Sequence, residues 1–312
     1  MGLTVTPQGD VQTCLQERRT RVENWLGDYL KPREGCPAAL LEAIRYSLLA
    51  PGKRLRPILA MFAAEAGGVS IERALPAAAA VEMVHVYSLI HDDLPAMDDD
   101  DLRRGQPTCH KKFGEALAIL AGDALLTLAF QVLAEQYPPA TSAGCCFELA
   151  RAAGACGMVG GQVDDLAMEK LPASSRQPED AEQLLERLHA RKTGALFRAS
   201  LRLGLWAAQG ENAGGPDREL LDRLDVFGRC FGLAFQISDD LLDVEGHADD
   251  TGKRVNKDAA RGKLTYPELW GIDESRRRAA ELCQKACDSV APLGQAGSYL
   301  AALAPLLVHR KS

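Results

Sequence analysis

Apolar residues recur at helical intervals along almost the whole chain, and that periodicity decides the fold class before any motif is weighed. Leu15, Val22, Leu26, Tyr29 and Leu30 follow it, as do Ala39, Leu40, Ala43, Ile44 and Leu48 ahead of a stop at Pro51-Gly52. Ser70 is placed to cap a helix reaching about Asp93. Further helices are predicted over about 113–136, ending at Pro138-Pro139, and near 143–169, 179–209, 217–245, 274–291 and 297–309. Alternating strand patterns bounded by turn residues are essentially absent. The breaks at Gly67-Gly68, 171–178, 210–216 and 246–262 are too short and too unbiased to be domain linkers. The expectation is one all-α domain over residues 1–312, a bundle of roughly ten helices with its ligand site inside.

Charge then narrows the function. The net charge is −7, with the acid excess gathered in aspartate clusters, which disfavours nucleic acid as a partner. Nine cysteines, none in a CxxC pair, read as reduced thiols of a cytoplasmic protein. No apolar leader opens the chain and no run reaches 18 consecutive apolar residues, so neither a signal peptide nor a membrane span is expected.

Six aspartates, Asp92, Asp93, Asp98, Asp99, Asp100 and Asp101, fall within ten residues at the end of an apolar helix. A second set, Asp239, Asp240 and Asp243, sits in and just after the apolar stretch 231–242. Carboxylates this close ionise poorly together unless cations neutralise them. Their hard oxygens suit Mg²⁺, which is usually shared between a few carboxylates and substrate phosphates. Asp239 and Asp243, four apart, share a helix face with Gln236. Asp92 and Asp98 are too far round an ideal helix to do so, but Pro95 disfavours helical geometry at Leu94, and Asp98 can fold back toward Asp92. Asp99, Asp100 and Asp101 read as solvated or paired with neighbours. Arg103 and Arg104 follow directly, as phosphate recognition needs. Another basic stretch, Gly52-Lys53-Arg54-Leu55-Arg56-Pro57, follows a helix stop and could hold an anion. His85 lies on the helical face of Asp92. Lys192-Thr193-Gly194 interrupts an apolar helix, and a helix-interior glycine costs about 1 kcal/mol against alanine, which suggests a kink or a close approach by ligand. Lys253 and Lys263 complete a basic ring.

With these residues in this order, the chain from about Leu40 onward resembles the trans-isoprenyl diphosphate synthases, most closely the bacterial farnesyl diphosphate synthases. The resemblance is carried by Gly52-Lys-Arg-Leu-Arg-Pro57, by 82–98 with its Asp92-Asp93…Asp98 spacing, and by Leu102-Arg-Arg-Gly105. Gly161-Gln-Val-Asp164, Lys192-Thr-Gly-Ala-Leu196 and Gln236-Ile-Ser-Asp-Asp-Leu-Leu-Asp243 complete it. One departure is Pro51-Gly52, where many relatives have two glycines; 165–169 stays close to the usual pattern. The resemblance implies an isoprenoid synthase fold, an all-α homodimer with both acid motifs facing a deep central cavity. It implies Asp92, Asp98 and Asp239 as main ligands of a Mg²⁺ cluster, three ions with Mn²⁺ as a substitute, and Asp93 and Asp243 in support. Arg103, Lys192, Lys253 and Lys263 would clamp the allylic diphosphate. Lys53, Arg56, His85 and Arg104 would bind the diphosphate of isopentenyl diphosphate, while Thr193 and Gln236 line the reacting end.

The implied reaction is ionisation of the allylic diphosphate, attack by the isopentenyl double bond and loss of a proton to the released diphosphate. No protein nucleophile is required, and no Ser-His-Asp or reactive-cysteine arrangement is present. In the family, residues just before the first acid motif form the floor that stops the growing chain: here Tyr87 and Ser88. Helical geometry puts Ser88 within about 40° of Asp92 and Tyr87 about 140° away, so Tyr87's role comes from the resemblance alone. An aromatic floor implies a C15 product, farnesyl diphosphate; the alternative is a geranylgeranyl diphosphate synthase. A terpene cyclase should lack the basic stretch at 52–57, and a non-catalytic regulatory subunit should lose an acid motif; this chain keeps both features.

Overall fold

The computed structural model describes residues 7–32, 34–169, 178–245 and 264–308, and its architecture is all-α. The described chain forms two compact units, one of residues 1–146 with 203–216, the other of 147–202 with 217–312.

The first unit holds α1 (Pro7–Tyr29), α2 (Ala38–Leu48), α3 (Leu55–Ala66), α4 (Ile71–Asp92), α5 (Cys109–Phe113), α6 (Glu115–Gln136) and the start of α7 (Pro139–Ala153). Its centre is α4, packed on α3 and α6. Ala77, Ala78, Ala79 and Ala80 are fully buried, and side chains this small let neighbouring helix backbones come close. Arg54 fixes the entry to α3. It stands at the N-cap in the left-handed region (φ 50°) and is 3% exposed. Its guanidinium donates to Glu82 (2.7 Å), Glu23 (3.3 Å) and the carbonyls of Leu48 (3.0 Å) and Ala50 (2.6 Å). It therefore neutralises the buried Glu82 and satisfies carbonyls that the end of α2 leaves open.

The second unit holds the end of α7, α8 (Met158–Glu169), α9 (Pro178–His189), a π-helical turn Ala190–Gly194, and the start of α10 (Ala195–Gln209). There follow α11 (Arg218–Glu245), α12 (Tyr266–Trp270), α13 (Ile272–Val290), a 3₁₀ segment Ala291–Gly297, α14 (Ser298–Leu303) and α15 (Pro305–Val308). Met168, Leu185, Leu188, Ile237, Leu241, Tyr266 and Ala279 form one buried cluster, and Phe197 meets Phe231 edge-on at 5.3 Å.

Four expectations change. The helix expected over 143–169 is two helices, α7 and α8, divided at 154–157, where Gly154 and Gly157 take the chain through a turn. The helix expected over 179–209 contains the π turn. A two-stranded ladder, β1 (Leu102–Arg103) with β2 (Gln106–Pro107), was not foreseen. Its connecting residues Arg104 (φ 54°) and Gly105 (φ 75°) are both left-handed, the backbone that a two-residue hairpin turn demands. Finally, although no uninterrupted apolar run is long enough, α4, α6 and the stretch 272–307 are long and apolar enough by composition to cross a membrane; α4 is mostly buried inside its own unit.

Candidate functional site

In the first unit α4 ends at Asp92, and the chain folds back on itself through Pro95. The amide of Asp98 donates to the carbonyl of Asp92 (2.8 Å), Asp99 to Leu94 (3.1 Å) and Asp100 to Asp93 (3.2 Å). Asp92 and Asp98 are thereby brought together, both partly exposed. Asp93 is 3% exposed and faces the other way, accepting two bonds of 2.9 Å from Arg103 Nε and one of 2.5 Å from Nη2. Burial lifts its carboxyl above the usual carboxylate range, against the pull of Arg103, with Asp100 and Asp98 adding to the rise. Asp101 pairs with Lys111 at 2.8 Å.

Among the described residues no group of three or more His, Cys, Asp or Glu side chains is arranged to hold a metal ion. Mg²⁺ does not need such a cage, because it binds through one or two carboxylates, waters and substrate phosphates. The accessible, all-oxygen pair Asp92 and Asp98 fits that mode. Asp93, engaged by Arg103, fits the part of an anchor for that arginine.

Beside this loop the basic residues converge. Arg104 Nη1 donates to the carbonyl of Pro51 (2.6 Å), and its guanidinium lies where a side chain at position 52 would be: a Cβ there would fall 2.5 Å from Arg104 Nη1. Gly52 is thus the seat of Arg104. Arg56 Nη1 lies 3.4 Å from His85 Nε2. Since a guanidinium offers no acceptor, Nε2 is the acceptor and the imidazole is neutral. Burial, then Arg56, Arg104, Arg103 and Arg54 in turn, push the His85 pKa well below its ordinary value. Burial also lowers Arg56 to about 10, with Glu82 opposing and Arg104 assisting. Lys53 is exposed. Cations that destabilise one another have a standing deficit of negative charge, which a diphosphate would supply.

Tyr87 is 6% exposed and meets His91 edge-on at 5.6 Å. Burial and then the charge of Asp92 raise its phenol pKa. Ser88 Oγ donates to the carbonyl of His85 (2.8 Å).

In the second unit the interruption at Lys192-Thr193-Gly194 is the π turn, a geometry that often marks functional sites. Lys192 Nζ donates to Asp165 (2.5 Å) and Arg191 to Asp164 (3.0 Å). Two glycines carry the packing. A Cβ on Gly161 would lie 2.4 Å from the backbone nitrogen of Lys192, and one on Gly232 would lie 3.0 Å from Cα of Gly194. The expected close approach at Gly194 is therefore made by α11. Thr193 Oγ1 donates to Gln236 Oε1 (3.1 Å), Gln236 Nε2 donates to Asp240 Oδ1 (2.8 Å), and the amide of Tyr266 donates to Asp240 Oδ2 (3.0 Å). Asp239 is exposed, Asp243 partly so, and Asp240 is 3% exposed.

Sequence reasoning counted Asp240 in the second acid cluster but gave it no role. Its four-residue spacing from Gln236 was the available signal. Lys253 and Lys263 lie outside the described residues.

A model of the polyprenyl synthetase family matches residues 37–296. The farnesyl diphosphate synthase of Escherichia coli (strain K12) is 44% identical over 307 residues, 96% of this chain and 97% of that one. The large subunit 1 of the chloroplastic heterodimeric geranylgeranyl pyrophosphate synthase of Arabidopsis thaliana is 47% identical over 278 residues, 85% of this chain and 72% of its own. Among solved structures, a geranyltransferase from Legionella pneumophila superposes with a TM-score of 0.84 at 34% identity, covering 98% of this chain and 99% of that one.

Proposed function

The chain belongs to the polyprenyl synthetase family, a family of trans-prenyltransferases, and on that premise we propose that it is a farnesyl diphosphate synthase. It joins isopentenyl diphosphate head-to-tail to dimethylallyl and then geranyl diphosphate. Residues 1–312 act as one catalytic domain, a reading supported by a family match that takes in parts of both units.

In this proposal Asp92, Asp98 and Asp239, supported by Asp243, hold Mg²⁺ against the allylic diphosphate, while Asp93 holds Arg103 toward it. Bound Mg²⁺ supplies positive charge that stabilises the departing diphosphate. Lys192 leaves Asp165 for the same anion, and Lys253 and Lys263 add to the clamp. Lys53, Arg56, His85 and Arg104 take the diphosphate of isopentenyl diphosphate, whose charge relieves the repulsion between Arg56 and Arg104. The allylic C–O bond breaks, the isopentenyl π electrons form the new C–C bond, and a proton passes to the released diphosphate. Thr193 Oγ1 and the carbonyl dipole of Gln236 face developing positive charge without forming a bond to it. Gln236 is held in one amide orientation because its NH₂ end is committed to Asp240.

The observation that carries the C15 product is Tyr87, five residues before Asp92 and buried with its edge against His91. That ring leaves room for a farnesyl tail and obstructs a longer one. The geranylgeranyl reading is kept in view by the Arabidopsis relative, 47% identical over 278 residues against 44% over 307 for the bacterial one. Incubating the protein with isopentenyl and dimethylallyl diphosphates and Mg²⁺, then sizing the products, decides between them. Mostly C20 product would overturn the farnesyl assignment. We further propose a cytoplasmic homodimer, supported by the exposed apolar residues Ile119 and Leu120 on α6.

A further inference from the structure

Gly122, on α6, lies directly under an imidazole. A Cβ at this position would fall 2.2 Å from His91 Nε2, 2.5 Å from Cδ2 and 3.0 Å from Cε1. At such distances a Cβ would force the ring of His91 aside, so at this level it is that ring which stands between α4 and Gly122 on α6. The ring is pinned there. Its Nε2 lies 3.1 Å from the carbonyl oxygen of Ile119, which can only accept, so Nε2 carries the hydrogen. Asp123 Oδ1 is 3.9 Å from the same nitrogen. On its other side His91 meets Tyr87, one helical turn earlier, with centroids 5.6 Å apart and planes at 84°. An edge-to-face pair of this kind fixes the orientation of both rings.

We propose that His91 and Gly122 are specificity-determining residues that set product length together. Gly122 supplies the seat, His91 occupies it, and His91 holds the ring of Tyr87 across the path of the growing chain. The floor is then an edge-to-face pair of rings footed on α6. Without the imidazole, the space above Gly122 opens and Tyr87 swings into it, deepening the cavity. His91 is here a positioning residue, acting on the product through Tyr87. The inference rests on Tyr87 being the floor.

The test sizes the products made by the full-length protein from isopentenyl and dimethylallyl diphosphates with Mg²⁺. It compares wild type, Tyr87→Ala, His91→Ala, His91→Gln, Gly122→Ala and the double variant Gly122→Ala/His91→Ala. His91→Gln keeps a donor for the Ile119 carbonyl while removing the ring, so it reports on the ring pair even if His91→Ala folds poorly. Both His91 variants should raise the ratio of C20 to C15 product several-fold, as Tyr87→Ala does, with KM for isopentenyl diphosphate unchanged. Gly122→Ala should alter the product distribution by displacing the ring, and should add nothing in the His91→Ala background, where its methyl group has room. A purely structural role would change thermal stability and leave product ratios alone. The proposal is overturned if His91→Ala and His91→Gln keep the wild-type ratio while Tyr87→Ala lengthens the product. It is also overturned if Gly122→Ala acts equally in both backgrounds. An unchanged distribution in Tyr87→Ala itself would instead remove the assignment of the floor.

Discussion

At the scale of single residues, the two kinds of charge in this protein behave differently. Asp92 and Asp239 are accessible carboxylates that, in the proposed reaction, meet the cation and the diphosphate. Replacing either by Ala should lower turnover by about two orders of magnitude or more, the usual loss for a main electrostatic stabiliser. Chelator should abolish the wild-type activity and Mg²⁺ restore it; near-normal turnover in Asp239→Ala would exclude it as a ligand. Arg56 and the neutral His85, by contrast, sit buried beside cations before any ligand binds: burial is the largest cause of both lowered pKa values, and Arg104 adds to each. Arg56→Ala or Lys53→Ala should raise KM for isopentenyl diphosphate and spare that for the allylic substrate, whereas Lys192→Ala should do the reverse; steady-state kinetics with each substrate varied separates them. His85 also gives a pH signature. Its pKa is depressed in the folded protein, so the unfolded chain takes up its proton first as pH falls below about 6.5. The unfolded state then binds more protons, and folded stability drops with pH across that window. Urea midpoints of His85→Gln should decline less steeply than those of wild type on acidification below neutrality; parallel curves would mean that His85 titrates normally.

At the scale of elements, the helix periodicity was legible but its interruptions were not. The ends of α4 and α6 follow from Pro95 and Pro138-Pro139, where ring sterics act on the local backbone. The fold-back of Asp98 toward Asp92 was likewise readable from Pro95. The hairpin at 102–107 was hidden because Arg104 takes the left-handed conformation that a sequence advertises with Asn or Gly. The π turn was legible only as a misplaced glycine. Its cause lies in partners distant in sequence: Gly161 on α8 and Gly232 on α11. Gly161→Ala would drive a methyl group into the backbone of Lys192, which cannot yield as a flexible side chain can. It should cost about 1–3 kcal/mol of stability, the usual range for overpacking, and should weaken allylic substrate binding. Denaturant titration and KM measure the two effects, and a variant as stable as wild type would show that the contact is slack.

At the scale of the whole molecule, composition spoke mainly about what the protein is not, and α6 carries the open question. Ile119 is 43% exposed and Leu120 55%, on a helix otherwise rich in apolar residues. Light scattering should give about twice the chain mass of 33.6 kDa. Leu120→Asp should shift the protein toward the monomer; a monomeric wild type would remove the homodimer from the proposal. Oligomeric state was not readable from residue patterns because an apolar helix face looks the same whether it meets its own core or a second copy.

The π turn Ala190–Gly194 also bears on how this chain can change over time. A π turn is an α-helix holding one residue more than its pitch allows. Deleting a single residue within it would return the segment to regular α-helix while α9 and α10 keep their present phase, because the wider turn had absorbed the extra residue. Lys192 and Thr193 would be turned away from Asp165 and Gln236 with no damage to the buried faces on either side. Single-residue deletions here are therefore a short evolutionary route to a folded but inert relative, one that substitutions elsewhere in the helix do not offer.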